Sequence, residues 1–181
     1  MKNLLLFLFL TMAINSWGQN RVENTNSLLT WLIQKDHITH LERKSNAGVF
    51  YDTTYLKKQS LVDESLKNIP NLCIKDMLSP GEVEIFKTVP RMLMQTDWKK
   101  KYPKLKVKFV TDDYVEYKEI QNDSFIVYTF SEPLFLNKDN SRVLIGESFI
   151  CGMVCGRIDL LLCEFKNGNW QLLGRAVVEN E

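Results

Sequence analysis

The chain has 181 residues, 45% of them apolar, which suits one sizeable core better than two large domains. Its 23 Lys and Arg against 22 Asp and Glu leave +1, and zero once Lys2 is set aside with the amino-terminal segment described next; this balance argues against a disordered or strongly polyanion-seeking chain. With only two histidines, His-rich metal or acid–base schemes have little material.

Lys2, the apolar run Leu4 to Leu10 with a weaker continuation to Ile14, and the small residues Ser16 and Gly18 form the pattern of a secretory signal. As a helix, Leu4 to Ile14 spans only about 17 Å, against a hydrocarbon core of about 30 Å, so no permanent membrane anchor is expected. Cleavage is expected after Gly18, leaving residues 19–181 as a single domain in the periplasm or outside the cell. No cysteine stands near that point to take a lipid.

Leu28, Leu29, Trp31, Leu32, Ile38 and Leu41 recur at three- and four-residue steps and predict an amphipathic helix from Ser27 to Lys44, ended by Asn46 and Gly48. Val49 to Tyr51 reads as a short strand and Ser60 to Lys67 as a short helix. Ser79-Pro80-Gly81-Glu82 is a helix start: a capping Ser, Pro at the first helical position and Glu three residues beyond the cap. Val83, Phe86, Leu93 and Met94 are its candidate core residues, and Pro90 should break it. After Pro103 the period becomes two, with Leu105, Val107 and Phe109 alternating with Lys104, Lys106 and Lys108. Tyr114 to Ile120, Ser124 to Phe130, Arg142 to Cys151, Ile158 to Phe165 and Trp170 to Val178 follow as strands. The pairs Asp112-Asp113, Asn122-Asp123, Asp139-Asn140 and above all Asn167-Gly168 read as turns. Connections this short join antiparallel neighbours. The expected fold is α+β: amino-terminal helices on a curved, mainly antiparallel meander of about six strands, comparable to cystatin-like or nuclear-transport-factor-like cones.

All four cysteines, Cys73, Cys151, Cys155 and Cys163, follow the signal, and an exported chain can oxidise them. In Cys151-Gly152-Met153-Val154-Cys155-Gly156 each cysteine precedes a glycine, whose freedom lets Cα atoms four residues apart approach to bridging distance. A Cys151–Cys155 bridge is therefore the first choice, shaping a turn more than stabilising the fold. Cys73 and Cys163 either form a second bridge or leave Cys163 as a buried, apolar-like thiol. A redox pair would normally carry two intervening residues at a helix start, and zinc lacks a suitable spacing.

His37 and His40, three apart on the expected helix, are half of a metal site at most, and no second ligand pair is identifiable; no metal or cofactor is expected. Glu116, Glu119, Glu132, Glu147 and Asp159 lie on or beside expected strands. As a pair with one raised pKa, two of them could serve a glycosidase-type hydrolase, while solvated outward acids are the ordinary reading. Lys99, Lys100 and Lys101 open a stretch of six lysines beside Trp98 and Tyr102. They suit contact with an acidic polymer other than intracellular nucleic acid, or the protection of an exposed sheet edge.

Phe130-Ser131-Glu132-Pro133-Leu134-Phe135, the Cys-Gly turn and Lys166-Asn167-Gly168-Asn169-Trp170 occur in an order that resembles an uncharacterised family of small exported Bacteroidota-type proteins. The likeness runs from Ile74 onward and implies export and one domain, with no catalytic residues; Arg157 and Cys163 have no counterpart in its pattern. The expectation is a non-catalytic binding protein, of inhibitor or immunity type, contacting an envelope or extracellular partner through Met153, Val154 and Arg157. The alternatives are a pocket for a small apolar ligand between helix and sheet, and an envelope hydrolase using strand carboxylates.

Overall fold

Leu28, Leu29, Leu32 and Ile33 share one face of helix α1, residues 21–35, and all four are buried. The computed structural model describes residues 21–45, 74–88, 96–120, 125–151 and 156–180. The helix ends well before Lys44, which corrects the sequence expectation. Ile38 N donates to Ile33 O at 2.9 Å and His37 N to Gln34 O at 3.4 Å, while His37 takes φ +52°, the left-handed position more often given to glycine. Beyond this Schellman-type stop the chain enters strand β1, His40–Glu42.

A 3-10 turn at Ile74–Met77 leads into α2, Pro80–Thr88. The expected capping box is present: Ser79 N donates to Glu82 Oε2 at 2.7 Å and Glu82 N to Ser79 Oγ at 3.3 Å. Of its expected core residues Phe86 is buried and Val83 partly so; Leu93, Met94 and Pro90 lie outside the described residues, as do 49–51, 60–67, Asn122 and Asp123. Trp98–Lys101 forms α3, capped by Asp97, whose side chain accepts from Lys100 N. The lysine-alternating strand is shorter than expected: β2 is Lys108–Val110. Tyr114 to Ile120 is not a strand but part of α4, Asp112–Ile120, with Asp112 and Asp113 placed where the helix dipole favours acids.

The remaining strands are β3, Val127–Phe130; β4, Leu134–Phe135; β5, Arg142–Ile150; β6, Gly156–Lys166; and β7, Asn169–Asn180. Asn167 and Gly168 turn β6 into β7 with φ +53° and +82°, as the sequence predicts. The fold is α+β, and its mixed seven-stranded sheet has the order β2-β1-β3-β5-β6-β7, with β4 also on β5. β1 pairs parallel with β2 and β3, while all other pairings are antiparallel. Register shifts between Ile158 and Asp159 and between Leu162 and Cys163 put bulges between β6 and β7, which sharpen the sheet's twist.

Alternation along β5 and β6 divides the interior in two. Val143, Ile145, Leu161 and Cys163 face α1 together with Trp98 and Trp170. Leu144, Leu160, Leu162 and Ala176 face the opposite way, against Ile74, Leu78 and Phe86. Trp170 Nε1 donates to Ser27 Oγ at 2.8 Å and so pins β7 to α1. Among the described residues no helix is long and apolar enough to cross a membrane.

Candidate functional site

Two constellations carry chemistry. The first continues the α1-facing stripe: Val143 and Ile145 on β5 are followed by Glu147 and Phe149, and Cys163 and Leu161 on β6 by Asp159 and Arg157. The stripes turn from apolar to ionic at the same register, where α1 ends at Lys35 and Asp36. Glu147 and Asp159 stand directly opposite each other and are only 2% and 1% exposed. Arg175 of β7 lies between them, its Nη2 3.2 Å from Glu147 Oε2 and 3.9 Å from Asp36 Oδ2, its Nε 3.6 Å from Asp159 Oδ2. Arg157 Nε donates to Asp159 Oδ2 at 2.8 Å and its guanidinium lies 5.3 Å from the Phe149 ring centre. Burial pushes Glu147 up to about 7 against the pull of Arg175, with Asp36 and Asp159 adding to the rise. Burial also raises Asp159, although both arginines oppose it. Glu147 Oε1 and Asp159 Oδ1 have no hydrogen-bond partner among the described residues. The sequence offered these two acids among five candidates, but not Arg175 or Asp36.

The second constellation is a cleft of about 600 Å³ between β1, α4 and the ends of β3 and β5. Its walls include His40, Tyr114, Lys118, Phe125, Ile126 and Cys151. Tyr114 and Lys118 are four apart on α4 and so share a face. The Tyr114 ring stacks on His40 with centroids 6.0 Å apart and 13° between planes. Lys108, the β2 neighbour of His40, holds its Nζ 4.8 Å from the centre of the Tyr114 ring. His40 Nδ1 lies 3.0 Å from the Thr39 hydroxyl. Burial lowers the His40 pKa, and the ammonium groups of Lys108 and Lys118 lower it further. Ile126 is 49% exposed and gives the cleft an apolar edge.

The other sequence candidates are dispersed. His37 sits in the turn after α1 and His40 in β1, so they do not share a helix face as expected. Among the described residues no group of three or more His, Cys, Asp or Glu is placed to hold a metal ion. Lys99, Lys100 and Lys101 are the exposed residues of α3, and Lys101 pairs with Glu132 at 3.3 Å. Glu116 is exposed on α4. Arg157, expected to contact a partner, lies in β6 and is bound to Asp159. Cys163 is a free, buried thiol, which corrects the alternative of a Cys73–Cys163 bridge; burial pushes its pKa up. Cys151 is half-buried and disulfide-bonded. Met153, Val154, Cys155 and Cys73 lie outside the described residues, so the partner of Cys151 does too.

Comparison with protein-family models, with curated proteins and with solved structures finds no match for this chain.

Proposed function

We propose that the protein is an exported, non-catalytic binding protein that takes a small ligand with an apolar body in the cleft between α4 and the sheet. The observation that carries this reading is the cleft itself: its volume of about 600 Å³ falls within the range of small-molecule sites, and aromatic, aliphatic and cationic side chains converge on it. Its wall at Cys151 is fixed by a disulfide, which we assign to Cys155 on the grounds of the intervening glycine and the free state of Cys163. Export rests on the amino-terminal pattern of residues 1–18, and the resemblance to small exported proteins agrees with it.

The hydrolase alternative needs acids open to substrate. Glu147 and Asp159 are closed off at 2% and 1% exposure and lie against Arg175, so they support a structural role. Contact of a protein partner through Met153 and Val154 is the competing reading.

Mass spectrometry of small molecules retained by the protein after incubation with envelope extract tests the reading. The wild type should retain a compound that Ile126→Asp loses, whereas Met153→Asp/Val154→Asp should keep it. Equal retention by wild type and Ile126→Asp would remove the cleft from consideration.

A further inference from the structure

We propose that the lysine stretch from Lys99 to Lys108 is a surface for acidic polysaccharide, its ammonium groups meeting the carboxylate or sulfate groups of a glycan chain. The proposal is independent of the cleft and shares only the export reading with it.

The sequence leaves two uses for these lysines, contact with an acidic polymer or protection of a sheet edge, and the fold separates them. Edge protection needs ammonium groups along the edge strand itself. β2 ends the strand order, yet of the six lysines only Lys108 lies in it; Lys99, Lys100 and Lys101 belong to α3, and Lys104 and Lys106 to the connection between the two. The other five therefore protect no edge. All six are exposed, while Trp98, Tyr102 and Leu105 beside them are buried in the α1-facing core. Tyr102 N donates to Trp98 O at 2.7 Å and Lys108 N to Thr39 O at 3.0 Å, which holds the stretch at both ends. The charges are thus displayed from a fixed backbone, and binding costs only the ordering of side chains.

Charge is divided unevenly over the molecule. No acid occurs from Trp98 to Lys108. Taking Lys2 and these six from the 23 Lys and Arg leaves 16, against 22 Asp and Glu in the rest of residues 19–181, so a neutral chain carries one cationic stretch on an anionic body. The adjacent acid, Asp97, is held by Arg43 through two bonds of 2.6 and 2.8 Å. Lys101 pairs with Glu132 at 3.3 Å, whereas Lys99, Lys104 and Lys106 make no ion pair among the described residues.

Burial of the rings chooses among polyanions. Single-stranded nucleic acid needs aromatic faces to stack on, and Trp98 and Tyr102 offer none. A bilayer needs apolar groups to insert besides charges, and Pro103 is the one exposed apolar residue between Lys99 and Lys108. A chain of sugar acids asks only for cations spaced along it, and export places the protein where such glycans are found.

Calorimetric titration of the purified full chain with heparin oligosaccharide at about 50 mM NaCl tests this, with dextran of the same length as the uncharged control. The wild type should bind heparin and not dextran, and should lose more than tenfold in affinity by about 200 mM NaCl. Lys99→Gln/Lys100→Gln/Lys104→Gln/Lys106→Gln should weaken heparin about tenfold or more, and arginine at the same four positions should retain it. Lys75→Gln/Lys87→Gln/Lys138→Gln/Lys166→Gln removes four exposed lysines elsewhere, reaches the same net charge, and should bind as wild type. Equal weakening in the two glutamine variants would reduce the effect to overall charge and overturn the assignment, as would a wild type that binds no heparin. Binding to phosphatidylglycerol vesicles or duplex DNA that excess heparin fails to displace would overturn it in favour of lipid or nucleic acid. Each of these outcomes leaves the cleft reading as it stands.

Discussion

Ser131 shows what one hydroxyl does in this fold. β3 and β4 pair with successive stretches of β5, and the residues between them, Ser131 to Pro133, interrupt what would otherwise be one strand. Pro133 has no N–H for a ladder, so it is tolerated where the ladder breaks. Ser131 closes the gap on both sides: its backbone N donates to Gly146 O at 2.9 Å, and its Oγ accepts from Gly146 N at 2.8 Å. The site is fully buried, so Ser131→Ala leaves the Gly146 amide without an acceptor and should cost about 1–3 kcal/mol. Urea unfolding measures this; a loss within a few tenths of a kcal/mol would mean that water or a shifted backbone takes over. The sequence displayed Ser131-Glu132-Pro133 as a motif, but nothing local to it reveals that its partner is Gly146, fifteen positions on.

Elements were legible where their boundaries are made locally. Asn167-Gly168 and Ser79-Pro80-Gly81-Glu82 contain all of their own turn and cap chemistry, and both fold as read. The end of α1 was not legible, because Ile38 and Leu41 continue the helical spacing of buried residues after the helix has stopped at His37. A three-residue strand such as β1 is too short to show alternation, and the neighbours of β1 and β2 are supplied by distant parts of the chain. The aromatic content of Tyr114 to Ile120 imitated a strand, while the acids that start α4 precede it. At the cap of α2, Glu82 has a second duty: its Oε1 lies 3.2 Å from Arg142 Nε, and Arg142 Nη2 donates to Met77 O at 2.6 Å. Ser79→Ala should therefore cost about 1 kcal/mol, the loss of one cap bond. Glu82→Ala should cost more, since it also strips Arg142 of its carboxylate at a site only 8% exposed. Equal losses in the two variants, read by thermal unfolding, would show that the Arg142 link contributes nothing.

Across the whole molecule, the charge cluster joins the end of α1 to three strands, and its sign can be read by titration. Glu147 faces Arg175 from β7, Asp159 from β6, and Asp36 with its ion-paired Lys35 from the end of α1. Raised to about 7 in the fold against 4.5 as a free group, Glu147 holds its proton more tightly when folded. The stability it lends is complete below about 4.5 and is lost as pH rises to about 7, on the order of 3 kcal/mol for a shift of this size. Glu147→Gln cannot ionise. Its stability relative to wild type should therefore rise steadily between pH 4.5 and 7.5 and then level off. Glu42 is raised in the same sense and remains in both proteins, while Asp159 interacts with Glu147, so the difference reports the titration of the Glu147–Asp159 pair. Arg175→Met removes the cation shared by the acids and should be worst at pH 8, where roughly 3–5 kcal/mol is expected for an unpaired buried charge, and milder at pH 5, where Glu147 is neutral. Urea midpoints of the three proteins across that range decide it. Parallel curves for wild type and Glu147→Gln would mean that Glu147 is ionised at the foot of the range, and that Arg175 outweighs burial at the junction of helix and sheet.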